Sequence, residues 1–256
     1  MTKPIDVKQD KHEQNNFRTV NPKERIIVAL DVETADEARK IIDEIGANVG
    51  AFKIGLQLFT SAGASFVRET VEKGIKVFLD VKFHDIPNTV AKASIEVARL
   101  GVWMFNVHAA GGAEMMRRTV DSVGEFCEKE NLAKPKIIAV TVLTSSDQET
   151  LRETGVEREI NSQVVYLAQI AAKCGLDGVV ASPRETPLIR LNLENPNFIV
   201  VTPGVRPSFA TNDDQKRVMT PKQAIDGGAN YLVVGRPIVQ ADNKLKALES
   251  ILAEIG

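Results

Sequence analysis

Eight short apolar runs, continuous rather than alternating, set the strongest limit on how this chain can fold. They occupy residues 26–30, 51–54, 76–81, 102–107, 137–142, 178–181, 198–202 and 231–234, and most are rich in Val and Ile. A strand with one face in water alternates apolar and polar side chains, whereas a strand buried on both faces, as in a parallel sheet, is apolar throughout. Parallel neighbours need long crossover connections, and the stretches between the runs carry helical periodicity. Thr34-Ala35-Asp36-Glu37 reads as a capping box, in which the Thr hydroxyl takes one free N–H and the Glu returns to another. Ala38, Ile41, Ile42 and Ile45 then mark one helical face, with Gly46 at the C-cap. Ser182-Pro183-Arg184-Glu185 predicts another start with Pro183 at the first helical position, and Thr220-Pro221 a third. Leu245, Leu248, Leu252 and Ile255 form the apolar stripe of the last helix.

Eight strand-then-helix units predict an α/β fold, a (β/α)8 TIM barrel forming a single domain over residues 25–256. The competing architecture is a doubly wound open sheet. That fold usually carries a G-x-G-x-x-G turn after its first strand, where this chain has Asp31-Val32-Glu33-Thr34. Residues 1–24 are polar and of mixed charge, and read as an extension outside the barrel.

Charge and cysteine usage narrow the partners. The 32 Lys and Arg residues nearly balance 34 Asp and Glu, for a net charge of −2, which argues against a nucleic-acid binder or a polybasic membrane partner. No apolar run approaches the roughly 20 residues of a membrane span, and residues 1–24 lack the apolar stretch of a signal peptide. Cys127 and Cys174 stand apart without metal-ligand spacing, the pattern of a reduced, cytoplasmic protein.

Active sites of such barrels lie at the C-terminal ends of the strands. There the first strand ends in Asp31, the second carries Lys53, and the third carries Asp80 and Lys82 with Asp85 just beyond. Residues two apart on a strand share a face, so Asp80 and Lys82 are expected to point inward while Leu79, Val81 and Phe83 point outward. Charges of alternating sign on adjacent strands suit catalysis better than isolated rim pairs, which need not converge. A second cluster follows strands seven and eight, in Thr202-Pro203-Gly204-Val205-Arg206-Pro207 and Gly235-Arg236-Pro237. Glycines there let backbone N–H groups approach phosphate oxygens, and a guanidinium offers a matching planar fork. The polar connection 204–219, with Asn212, Asp213, Asp214 and Gln215, reads as a lid over a phosphorylated ligand. From the residues alone, two other readings stay open. One is a metal-dependent sugar-phosphate decarboxylase, aldolase or epimerase using His84 and His108. The other is a non-catalytic phosphate-binding protein.

The run Asp80-Val81-Lys82-Phe83-His84-Asp85-Ile86-Pro87-Asn88-Thr89-Val90 resembles the Asp-x-Lys-x-x-Asp signature of orotidine 5'-phosphate decarboxylases, in the bacterial form that continues Ile-Pro-Asn-Thr. Leu30-Asp31, Phe52-Lys53-Ile54-Gly55, Leu143-Thr144-Ser145, Pro203-Gly204-Val205-Arg206 and Val234-Gly235-Arg236 are similar to the family's other blocks, in the same order. Related barrels acting on keto-gulonate phosphate or making hexulose phosphate carry a version of the signature. The Ile-Pro-Asn-Thr continuation and Gln215 separate this chain from them.

The resemblance implies decarboxylation of orotidine 5'-monophosphate to uridine 5'-monophosphate, the last step of de novo pyrimidine nucleotide synthesis, without metal or cofactor. It implies that Asp31 and Lys53 hold the ribose hydroxyls, Asp80 faces the substrate carboxylate and Lys82 donates the proton. Thr144 lies near the pyrimidine, and Arg206, Gln215, Gly235 and Arg236 hold the phosphate. Asp85 and Thr89 reach into the site of the partner subunit, which makes the enzyme a homodimer with shared active sites.

Overall fold

The structure, a computed structural model, describes residues 21–208 and 219–256. All eight apolar runs are strands: β1 (Ile26–Ala29), β2 (Ala51–Gly55), β3 (Val77–Phe83), β4 (Met104–His108), β5 (Lys136–Val140), β6 (Gly178–Val180), β7 (Ile199–Pro203) and β8 (Tyr231–Val234). Each pairs in parallel with the next, and β8 pairs with β1, so the sheet closes into a barrel. The helices are α1 (Ala35–Ile45), α2 (Leu56–Glu72), α3 (Pro87–Arg99), α4 (Gly112–Lys129), α5 (Gln148–Glu153) and α6 (Ile160–Lys173). They continue with α7 (Thr186–Asn192), α8 (Pro221–Asp226), α9 (Arg236–Val239) and α10 (Lys244–Ile255). This is the (β/α)8 TIM barrel expected from the run pattern. The open-sheet alternative is excluded by closure.

The two faces of each strand explain the continuous runs. Ile27, Ala29, Ala51, Phe78, Met104, Ile138, Ile199, Val201 and Val233 pack together inside the barrel. Their sequence neighbours, among them Ile26, Val28, Phe52, Leu79 and Phe105, face the helices. Each Val, Leu, Ile, Phe or Met side chain so withdrawn from water contributes about 1.5–3 kcal/mol, and a polar residue at an interior position is costly unless paired. Two interior positions near the C-terminal end are nevertheless charged, Lys53 and Asp80, and they mark where the packed core gives way to a site.

Local signals held unevenly. Ala38, Ile41, Ile42 and Ile45 are buried as expected, and the Thr34 hydroxyl accepts from the Glu37 N–H at 3.2 Å. Thr220 and Gln223 form a complete capping box. Gly46 is the C-cap of α1 as expected, but it keeps right-handed helical angles and leads into a further tight turn, Gly46–Asn48, because the chain continues its curl instead of reversing. Residues 182–185 form a turn, tied by the Ser182 N–H donating to Glu185 Oε2 at 2.9 Å, and α7 starts only at Thr186 with Pro187 in its first turn. On α10 the buried face is Ala247, Leu248 and Ile251, whereas Leu245 is exposed; in the first turn it lies on the outer side of the helix.

Candidate active site

Of the five charges expected at the ends of the first three strands, the barrel brings four together, Asp31, Lys53, Asp80 and Lys82. Asp31 follows β1, Lys53 sits on β2, and Asp80 and Lys82 sit on β3. The Lys53 ammonium lies 3.0 Å from Asp31 Oδ1 and 3.4 Å from Asp80 Oδ2, and the Lys82 ammonium lies 2.7 Å from Asp80 Oδ1. The order of charges is therefore Asp31, Lys53, Asp80, Lys82, a chain of opposite signs across the barrel mouth. Lys53 is 8% exposed, and the Asp80 side chain 13%. Burial is the largest influence on Asp80 and by itself would raise its carboxyl. The ammonium groups of Lys53 and Lys82, with hydrogen bonds from Lys82 and Asn106, together outweigh it and hold the carboxyl below the usual carboxylate range.

Lys82 reaches this place by an irregular route. The pairing of β3 with β4 shifts register between Leu79 and Phe83, and Lys82 adopts φ +53°, in the left-handed region. For a residue with a side chain that conformation costs about 1–2 kcal/mol. Regular pleating would have placed Asp80 and Lys82 on one face, so the expected contact forms, but through a bulge that re-aims the lysine. Asn106, on β4 and 0% exposed, supports it. Its Oδ1 accepts from the Lys82 N–H at 2.8 Å, and its Nδ2 donates to Asp80 Oδ1 at 2.7 Å. Asn106 was not among the residues singled out from the sequence. The signal was present, since it is the one polar side chain in the apolar run 102–107 and buried polar groups need partners.

Gly55, quoted above only as part of a family-like block, also shapes the site. A Cβ there would sit 2.9 Å from Lys53 Nζ and 3.5 Å from Asp31 Oδ1, so the missing side chain leaves room for the ion pair. Gly235, after β8, lies on the other flank of Asp31, where a Cβ would stand 3.5 Å from Asp31 Oδ2. The loop after β8 thus borders the charged array. Arg236 opens α9 and is exposed. On the loop after β7, Gly204 takes φ +77°, and the Arg206 N–H donates to the Met219 carbonyl at 3.0 Å, where residues 205 and 219 bridge in parallel. Gln215, the rest of the connection 209–218 and residues 1–20 lie outside the described residues.

Asp85 does not join the array within the chain. Its Oδ1 accepts from the Ile86 N–H at 2.6 Å, and among the described residues it forms no ion pair. The physical reason is the bend after Phe83, which carries Asp85 out of the strand and onto the rim. Thr89, in the first turn of α3, and Thr144, between β5 and α5, are likewise exposed. The rings of His84 and His108 stack at 5.4 Å, inclined by 19°. Burial, then the neighbouring His84 and Lys82, push the His108 imidazole below its ordinary pKa. Among the described residues no group of three or more His, Cys, Asp or Glu side chains could hold a metal ion, and no helix is long and apolar enough to cross a membrane. Cys127 and Cys174 are both free and buried.

The chain is similar to known proteins along most of its length. A protein named orotidine 5'-phosphate decarboxylase from Geotalea daltonii is 52% identical over 231 residues, covering 90% of this chain and 95% of that protein. One of the same name from Moorella thermoacetica is 51% identical, covering 92% and 94%. The crystal structure of orotidine 5'-phosphate decarboxylase from Lactobacillus acidophilus superposes with a TM-score of 0.79 at 36% identity, covering 90% of this chain and 98% of that one. The profile of the Orotidine 5'-phosphate decarboxylase / HUMPS family matches residues 24–251. A match of that extent, joined to half-identical relatives along nearly the whole barrel, means that the chain belongs to the Orotidine 5'-phosphate decarboxylase / HUMPS family.

Proposed function

We propose that the protein decarboxylates orotidine 5'-monophosphate to uridine 5'-monophosphate, without metal or organic cofactor. The observation that carries this reading is the Lys53–Asp80–Lys82 array, closed by Asp31, at the C-terminal mouth of the barrel. Loss of carbon dioxide breaks the bond between C6 and the carboxyl group and leaves the electron pair on C6, where the ring π system does not delocalise it. Enzymes lower barriers by about 8–23 kcal/mol, and here electrostatics must supply most of the reduction. The Lys82 ammonium stands where it can stabilise that charge and then transfer an N–H proton to C6. Two unit charges about 4 Å apart, at an effective dielectric of 20, attract by roughly 4 kcal/mol. Asp80, kept ionised by its neighbours, faces the substrate carboxylate, and the repulsion between them is relieved as carbon dioxide departs.

Asp31 and Lys53 hold the ribose hydroxyls, and Thr144 lines the pyrimidine side. Arg206, Gly235 and Arg236 bind the phosphate, with Gln215 from the connection 209–218. The position of Gly235 against Asp31 supports a phosphate site contiguous with the ribose site. Asp85 and Thr89 serve the neighbouring subunit of a homodimer. Their exposure on the rim, beside an Ile86 that is 66% exposed, supports that arrangement. The barrel occupies residues 25–256 with residues 1–24 as an extension, and the enzyme works in the cytoplasm.

The test is the ultraviolet loss of orotidine 5'-monophosphate absorbance, using protein treated with chelator and no added metal. Rapid turnover is expected. Absence of turnover by folded protein would overturn the reading and direct attention to sugar phosphates with divalent metals.

A further inference from the structure

We infer that Asn106 is a positioning residue that sets the Lys82 backbone and the Asp80 carboxylate in mutual register. A primary amide is the side chain that satisfies both partners at once. The Lys82 N–H can only donate and the ionised Asp80 carboxylate can only accept, so the amide orientation follows from chemistry. At 2.8 and 2.7 Å both bonds are short, and Asn106 is shut off from the water that would substitute for them. Its location matters as much as its reach. Asn106 stands on β4, across from the register shift in β3, and the backbone it holds is that of the left-handed Lys82. Without that acceptor the N–H of Lys82 loses its partner, and the bulge loses the contact that favours it over a regular pleat. Asp80 Oδ1 receives both the Asn106 amide and the Lys82 ammonium, so a turn of the amide displaces the ion pair as well.

The alternatives at this position each fail in a definable way. Asp would offer the acceptor but place a second carboxylate against Asp80. Leu would match the volume and satisfy neither partner, and Ser is too short to span both.

For its catalytic readout, the role of Asn106 rests on the decarboxylation proposed above, and the test therefore has one arm that needs no substrate. In Asn106→Leu, kcat is expected to fall by roughly a hundredfold, the scale of an ångström-sized misplacement near the chemistry, while KM changes less than about threefold. In the same variant without substrate, carbon-13 resonances of the Asp80 carboxyl should report a pKa moved upward from that of the wild type. Should Asn106→Leu fail to fold, Asn106→Ser carries both readouts. An unchanged Asp80 titration in a folded variant overturns the role of Asn106, whatever the substrate proves to be. So does a kcat within about threefold of wild type when the wild-type protein turns over orotidine 5'-monophosphate. Failure of the wild-type protein to decarboxylate overturns the proposed reaction alone, and the titration then decides the role of Asn106.

Discussion

Replacing Lys53 by Met tests whether the array is held together by charge or only by packing. Methionine keeps the unbranched stem that lines the barrel and removes the ammonium. Lys53 Nζ stands 3.4 Å from Asp80 and 3.0 Å from Asp31. The attraction to Asp80 amounts to roughly 5 kcal/mol at an effective dielectric of 20. The Asp31 side chain is 61% exposed, so water screens its share to at most about 1 kcal/mol. Breaking a buried pair by removing one partner costs about 3–5 kcal/mol. Because Lys82 still faces Asp80, the loss belongs at the lower end, about 3 kcal/mol. For a chain of this size that corresponds to a fall in Tm of roughly 6–12 °C.

The assay is a set of thermal melts on wild type, Lys53→Met, Asp80→Asn and the double variant. The cost of Lys53→Met should shrink to about 1 kcal/mol or less once Asp80 is neutral. A pH series adds a sign. The Asp80 carboxyl is held below its unfolded value, so its contribution is complete above about pH 4 and is lost as pH falls through the lower folded value. Without Lys53 the folded value rises, and acid loss begins at a higher pH. The gap between the two proteins therefore closes only in acid. An equal cost of Lys53→Met in both backgrounds, or a gap insensitive to acid, would refute the electrostatic account.

Other consequences can be checked directly. Lys82→Ala should lose on the order of 10³-fold or more in kcat while its far-ultraviolet circular dichroism stays native. A kcat within tenfold of wild type would remove Lys82 as proton donor. Arg236→Ala should lower kcat/KM by roughly 10- to 100-fold, the worth of one hydrogen bond to a charged group. Turnover should fall along with affinity, because remote binding energy helps drive the chemical step, and unchanged kinetics would refute the phosphate role. Mixing equal amounts of Lys82→Ala and Asp85→Ala proteins should restore roughly a quarter of wild-type activity, since half the exchanged dimers carry one intact shared site. No recovery after demonstrated subunit exchange would refute site sharing.

The eight strands were legible in the sequence because burial on both faces writes itself as uninterrupted hydrophobicity, a local property. Strand ends were less so. β3 runs two residues beyond its apolar run, to Phe83, because the bulge at Lys82 extends pairing with β4 past the charged positions. Ser182-Pro183 looked like a helix start and proved to be a turn, since the same local hydrogen bonds serve both.

Local patterning along the chain specifies the barrel, the strand ends that carry charge, and the nearness of Asp80 to Lys82, which lie two residues apart. It takes the closed barrel to bring Lys53 of β2 within 3.0 Å of Asp31, which follows β1, and 3.4 Å of Asp80 on β3. That outcome depends on the register between β1, β2 and β3, which no single segment encodes. The closed barrel also turns Asp85 outward, although its spacing suits membership of the array. And it revealed Asn106, whose partners lie 24 and 26 residues away, as the side chain that holds the bulge. Local hydrophobicity dictates what must be buried, but which buried polar groups satisfy one another is settled only when the barrel closes.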